Sequence, residues 1–465
     1  MRKSIILAVF FLIGFNSFAG EDEFKKLFVK ATDFMYDMNY IEALKILQEL
    51  DKMQPDNANV NFQIGLCYHY SRTEGAKSIQ YFEKASKKVS PEYQDSYYKE
   101  IYAPVEVWKL LADAYHKYYQ FDKAIETYYK YRSYFEEGDV NIDADVEYWV
   151  KMCQNAKKLV AKPINMKIDN LGDAINSKYA EYKPLISADE SVLIFTSRRE
   201  ESTGGLFDPT GKYYEDIFIS EKIDGVWSKP VSIGSSVNTN DHEATAGLSA
   251  DGQRMFVYKF IDGSGDIYSS ELDGTTWKEP VKMGSDINTF AWEPHASISP
   301  DDKYFFFTSD REGGYGGRDI YYCQRLPTGE WGLAINMGPT INTKYNEDGP
   351  FLHPDGKTLY FSSEGHSSMG GFDIMYAVKS DEDSTWSKPT NLGYPANTTG
   401  DDVFFTPTAD GKRAYYSSFR EDGVGEKDLY LLSFPDVEEK SLVIYKGVIK
   451  QRDGSIPEDR KSTRL

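Results

Sequence analysis

Five short stretches carry residue types that could do chemistry, at a constant spacing. Asn176, Asn238, Asn288, Asn342 and Asn397 are each followed by Ser or Thr. Five residues after each Asn comes an acid: Glu181, Glu243, Glu293, Glu347 and Asp402. Gathered into one ring, these carboxylates would bind a cationic or peptide ligand. The same spacing suits a structural role, in which Asn and the hydroxyl cap a turn and the acid takes backbone donors or an Arg of its neighbour. Recurrence in every copy favours the structural role, because binding sites usually break symmetry.

The elements that position these acids recur too. A stretch of about fifty residues is present five times, opened by Gly172, Gly234, Gly284, Gly338 and Gly393. Each copy contains Asp-(Ile/Leu)-(Tyr/Phe/Met), at Asp216, Asp266, Asp319, Asp373 and Asp428, and four copies continue to Trp227, Trp277, Trp331 and Trp386. Repeats of this length built from short strands make propellers, solenoids or arrays.

Each copy reads as four strands. The first precedes Ser/Pro-Asp-Gly, a hairpin turn. An aromatic run follows, as in Tyr304–Phe307, then the Asp-Ile-Tyr strand, then Trp-Ser-Lys-Pro-Val. Proline removes a ladder donor, so the fourth strand lies on an edge, where the outer strand of a propeller blade belongs. The fifth copy lacks this strand. Residues 162–172, which precede the first copy, end like the other fourth strands and are expected to complete blade five and close the ring. The segment between Asn and acid then runs from the outer strand of one blade to the inner strand of the next, near the channel mouth. The whole spans residues 163–436: a five-bladed β-propeller.

Residues 21–161 have helical periodicity instead. Trp108-x2-Leu111-Ala112-x2-Tyr115, with Phe121 and Ala124, resembles the tetratricopeptide repeat. Ala31, Gly65 and Ala112 hold one small position where two helices approach, and the stretch from Pro91 to Pro104 is a longer connection. A last helix over 142–162 caps the stack. The fold class is therefore multidomain: α-helical repeats followed by an all-β propeller. Asp143 and Asp145 are expected at a helix N-cap.

Residues 1–19 read as a secretory signal peptide: a basic start, an apolar run over Ile5–Ile13, and Ser17 and Ala19 for cleavage. The run is too short to span a membrane, and the mature chain has no other span. The net charge of −20 argues against nucleic-acid partners, because phosphate binding needs a basic face. Cys67, Cys153 and Cys323 form no metal or redox spacing and are expected to be buried thiols.

No catalytic motif occurs. His69, His116, His242, His295, His353 and His366 match no zinc signature, and no nucleophile elbow is present. The glycine-rich loops at 313–317 and 368–371 precede no helix, so they cradle no phosphate. The chain is read as non-catalytic, with no cofactor and no metal.

The repeat motifs resemble the WD40-like PD40 propeller repeats, also seen in TolB-type periplasmic proteins. The order signal peptide, tetratricopeptide repeats, PD40 propeller resembles the PorE-like, OmpA-family envelope proteins of Bacteroidota-type bacteria. Asn176–Tyr182 and Phe195–Arg199 are the stretches most like them. The resemblance implies a periplasmic, outer-membrane-associated scaffold, with other envelope or type IX secretion or gliding-type machinery proteins as partners. It also implies a carboxypeptidase-regulatory-like β-sandwich beginning at 441–465, cut short here, and peptidoglycan contact only through a later domain not in this chain. The alternative is a TolB-like propeller holding a small ligand or peptide in its channel.

Overall fold

The computed structural model describes residues 3–438 apart from 72, 209, 262–263 and 421. The sandwich expected over 441–465 lies outside the described residues. The chain forms two compact units. One takes the chain up to Ile164 together with His366–Asp373 and Asn391–Asp401. The other takes Asn165–Gly365, Ile374–Thr390 and the chain from Asp402 on.

Among the described residues the first unit has seven helices, six of which pair as successive hairpins: α1 (Lys3–Tyr36) with α2 (Tyr40–Met53), α3 (Ala58–His69) with α4 (Lys77–Ala85), and α5 (Val107–Lys117) with α6 (Phe121–Arg132). The last, α7 (Val140–Val160), packs on α6. Asn39 and Asn57 cap α2 and α3 by accepting the Glu42 and Val60 N–H groups. The expected cap at Asp143 is displaced. The side chain of Asp139 caps α7, because its extended backbone aims the carboxylate at the Asn141 and Ile142 N–H groups. Asp143 sits in the first turn and pairs with Arg132. Gly65 is where α3 and α4 touch: a Cβ there would stand 2.5 Å from the Phe82 ring. Between α4 and α5 the chain runs without a helix, tied by a bridge between Val89 and Ala103. Leu111, Ala112, Tyr128, Val150 and Cys153 build one core, into which Met369 inserts from the 366–373 segment.

Among the described residues the second unit holds five antiparallel sheets in sequence. Blade I runs Glu181–Ile186, Val192–Ser197 and Asp216–Ile223. Blade II runs His242–Leu248, Arg254–Ile261 and Ser264–Asp273. Blade III runs Ala296–Ile298, Tyr304–Ser309 and Asp319–Gln324. Blade IV runs Glu347–Leu352, Thr358–Ser363 and Asp373–Val378, and blade V Asp402–Pro407, Arg413–Ser418 and Asp428–Ser433. The strand Lys167–Asn170 pairs antiparallel with Asp428–Ser433, in register Lys167 to Ser433. The start of the propeller thus supplies the outer strand of its last blade. This closure hides two edges that would otherwise invite association.

The turn between the first two strands has one geometry in all five blades. Its fourth residue (Glu190, Gly252, Asp302, Gly356, Gly411) has φ between 55° and 72° and donates its N–H back three residues. This is the type I turn followed by a left-handed residue. The outer strand departs from the continuous one expected. In blades I and II it is two short pieces, Val226–Trp227 with Val231–Ser232 and Thr276–Trp277 with Val281–Lys282, split at Pro230 and Pro280, which cannot donate to the ladder. The tryptophans seal blade junctions. Trp277 packs with Leu185, Ile194 and Met255, and Trp386 meets Phe306 at 6.4 Å.

Candidate functional site

The segments that begin at Asn176, Asn238, Asn288 and Asn342 form one repeated clasp. The Asn side chain behaves like an added strand residue. Asn238 accepts the Ile217 N–H at 3.0 Å and donates to the Ile217 carbonyl at 2.9 Å. Asn288 does the same to Ile267, Asn342 to Ile320, and Asn176 to Leu429. In each case the partner is the residue after the Asp of the third strand, so the amide ties the linking loop to the blade it has just left.

The acid then closes the loop on itself. Glu181 accepts from the Ser177 N–H at 2.9 Å and the Ser177 hydroxyl at 2.6 Å. Thr239 gives both donors to Glu243, Thr289 to Glu293, and Thr343 to Glu347. A serine from the second strand adds a further donor: Ser197 to Glu181, Ser309 to Glu293, Ser363 to Glu347 and Ser418 to Asp402. All five carboxylates are 0% exposed, so in this conformation they present no surface to a ligand.

Their charge balance differs. Arg199 lies 3.0 Å from Glu181, Lys259 3.2 Å from Glu243 and Arg311 3.2 Å from Glu293. Among the described residues no cation pairs with Glu347, and burial pushes its carboxyl up to about 7 despite the Ser363 and Thr343 donors.

At Asp216, Asp319, Asp373 and Asp428 the carboxylate serves the loop before it. Asp319 accepts from Tyr315 and Gly316 N–H groups of the glycine-rich loop, and Asp216 from Thr203. The loop donors that could have met a phosphate are thereby used.

Symmetry breaks two residues after each acid, where the chain places Lys183, Thr245, His295, Gly349 and Phe404. Lys183, His295, Gly349 and Phe404 line the channel together with inner-strand residues of all five blades, and Thr245 instead donates its hydroxyl to the Lys183 carbonyl at 2.8 Å. Lys183, Gly349 and Phe404 share a positive φ of 57–61°, beside bulges in their strands. For Lys183 and Phe404 this backbone is strained. The bulge turns Lys183 across the channel, where its Nζ donates to the Pro294 carbonyl of blade III at 3.1 Å. The Phe404 ring lies 5.7 Å from that ammonium and 4.8 Å from the His295 imidazole. His295 is hydrogen-bonded through Nδ1 to Asp348, whose other oxygen accepts from Arg318.

Burial holds the Lys183 ammonium well below its usual range. Burial also lowers His295, to about 4, against the pull of Asp348. Burial resists ionisation of Asp348, but His295, Arg318 and Lys183 together hold its carboxyl below the ordinary range. A parallel cluster joins Glu215 to Tyr182, to Arg198 at 3.0 Å and to His242 at 3.3 Å.

These groups fill the channel and leave a cavity of about 30 Å³. Ligand sites for small molecules run to ~300–1,000 Å³. Among the described residues no three His, Cys, Asp or Glu side chains meet as a metal site. The three cysteines are free and buried.

Sequence reasoning found the clasp but passed over Lys183, Asp348, Arg318 and Glu215. The signal was available: aligned on the acid, the five copies read Lys, Thr, His, Gly and Phe two residues later, a dissimilar column inside a regular repeat.

No protein-family description matches the chain, and neither does any curated protein. Solved structures do. A TolB from Acinetobacter baumannii is 18% identical, with 56% of each chain covered and a TM-score of 0.34; the chain thus spans little more than half of that protein. A glycosyl hydrolase from Bacteroides ovatus is 9% identical over 57% of this chain and 87% of that one, at 0.37. An aldose sugar dehydrogenase from Streptomyces coelicolor is 10% identical over 58% and 99%, at 0.32.

Proposed function

We propose that this chain is a non-catalytic scaffold of the cell envelope that holds partner proteins on its propeller face and its helical hairpins. The observation that carries this reading is the filled channel: side chains from all five blades leave a cavity of about 30 Å³ there, well under the ~300–1,000 Å³ of small-molecule sites. Exposed aromatic and aliphatic side chains on the loops, including Phe207, Phe290, Tyr315 and Phe419, support it. In this reading the hairpins are tetratricopeptide repeats, the propeller is of the PD40 type, and residues 1–19 direct export to the periplasm, with outer-membrane association. Among the described residues no helix is long and apolar enough to cross a membrane. The order of segments supports a place in type IX secretion or gliding-type machinery. Glu181, Glu243, Glu293, Glu347 and Asp402 keep the ring rigid.

The test is fractionation of native cells followed by native mass spectrometry of the gently purified protein. A retained protein partner in the envelope fraction is expected. A protein found in the cytoplasm, or one carrying only a stoichiometric small molecule, contradicts the proposal. A second reading, a channel ligand, is favoured by the asymmetric Lys183–His295–Asp348 cluster; it needs the channel to open, and the bound small molecule would be its signature.

A further inference from the structure

On the loop-bearing side of blades II and III, Tyr258, Phe260, Gly265, Phe290, Ala291, Trp292 and Asp310 line a cleft of about 420 Å³. Phe290 is fully exposed, at 108%, and Phe260 and Trp292 are 45% and 39% exposed. A phenylalanine wholly in water adds nothing to the core, yet the cleft around it is held firmly. The Trp292 indole N–H donates to the Tyr258 hydroxyl at 3.0 Å, and its backbone N–H donates to Asp310 Oδ1 at 2.7 Å. A Cβ at Gly265 would stand 2.5 Å from Trp292 Cδ1, so only glycine lets the strand pass beneath the ring. The Arg318 guanidinium lies over the indole at 5.2 Å, a cation already stacked on this aromatic wall. The charged residue in the lining is Asp310, in a chain of net charge −20.

From this geometry we infer that the cleft docks a partner protein segment through one of its Lys or Arg side chains. The inference deepens the scaffold reading and rests on it. Aromatic faces attract cations, and the Asp310 carboxylate supplies the opposite charge. An apolar neighbour of the incoming residue covers Phe290.

The test uses the full chain and a fluorescein-labelled peptide of alternating lysine and leucine, read by anisotropy. A glutamate–leucine peptide and cellohexaose serve as controls. The lysine peptide is expected to bind at least about tenfold tighter than the glutamate peptide. Phe290→Ala and Asp310→Asn are each expected to weaken it about fivefold or more with the melting temperature unchanged, since the Phe290 ring lies in water and asparagine keeps the Oδ1 acceptor for the Trp292 N–H. Equal binding by Phe290→Ala shows generic attraction to an acidic surface and overturns the inference. Displacement of the lysine peptide by cellohexaose overturns it in favour of a sugar. Either result leaves the scaffold reading standing, because that reading falls only with the absence of an envelope partner.

Discussion

His116 and Met369 are 253 residues apart in sequence, and the imidazole Nε2 meets the Met369 carbonyl at 2.9 Å. The other ring nitrogen lies 3.1 Å from Cys153 Sγ. One protonation pattern satisfies both contacts: Nε2–H donates to the carbonyl, and Nδ1 accepts from the thiol. That pattern is the neutral ring, and burial lowers His116 to about 4, against the carbonyl's pull.

This gives a pH dependence with a definite sign. The unfolded chain takes up the proton near 6.5 and the folded one near 4, so the stabilisation is whole above pH 6.5 and is lost as pH falls from 6.5 to 4. The loss is on the order of 3 kcal/mol at ~1.4 kcal/mol per unit. His116→Gln removes this slope. Urea midpoints of the two proteins are expected to lie closer together at pH 5 than at pH 7.

Glu347 titrates the other way. Its folded carboxyl is raised from its ordinary value to about 7. The protonated form is favoured by folding, so its contribution is whole below pH ~4.5 and is lost as pH rises through 7. Glu347→Gln is therefore expected to cost less at pH 8 than at pH 5, by at least ~1 kcal/mol. Glu293→Gln removes the carboxylate partner of the partly buried Arg311, which keeps its bond to the Ile287 carbonyl, and is expected to cost about 1–3 kcal/mol at pH 8. Denaturant titrations of both variants at the two pH values check the contrast.

The clasp itself is testable at Asn238. Alanine there orphans the Ile217 N–H and carbonyl together, and each buried unpaired group costs ~1–3 kcal/mol. Asn238→Ala is expected to destabilise by about 2–4 kcal/mol. Asn238→Asp keeps the acceptor but loses the donor to the Ile217 carbonyl, so it is also destabilising. Hydrogen exchange at Ile217 and thermal melting report the two effects.

Gly65 tests the helical hairpins. With Phe82 at 2.5 Å from any added Cβ, Gly65→Val forces α3 from α4 and is expected to cost about 1–3 kcal/mol. Adding Phe82→Leu should recover part of it.

Much of this architecture was legible in the sequence because repetition reports geometry. The five glycine-opened copies, the missing fourth strand of the last copy and the spare strand before the first led to the closed ring that Lys167–Asn170 completes. The small position at Gly65 pointed to a close helix approach for the same reason. The rest depended on what does not repeat. Lys183, His295 and Asp348 occupy equivalent or adjacent positions of different copies, so a reading that seeks likeness discards them. The 366–373 and 391–401 segments carry propeller motifs but pack in the helical unit, through contacts such as Met369 with His116 that no local pattern encodes. Asp139 rather than Asp143 caps α7 because the backbone, not composition, decides which carboxylate faces the free N–H groups.

The central claim is that this propeller works through its loop-bearing face. Site-specific photo-crosslinking in the native host tests it most directly, with the probe at position 290 in the aromatic cleft and, separately, at exposed Val231 on an outer strand. The account predicts a discrete protein adduct from position 290 that is lost when Asp310→Asn is added, and none from position 231. Adducts of equal yield from both positions, or none from position 290 while a small molecule stays bound to the purified chain, would contradict it.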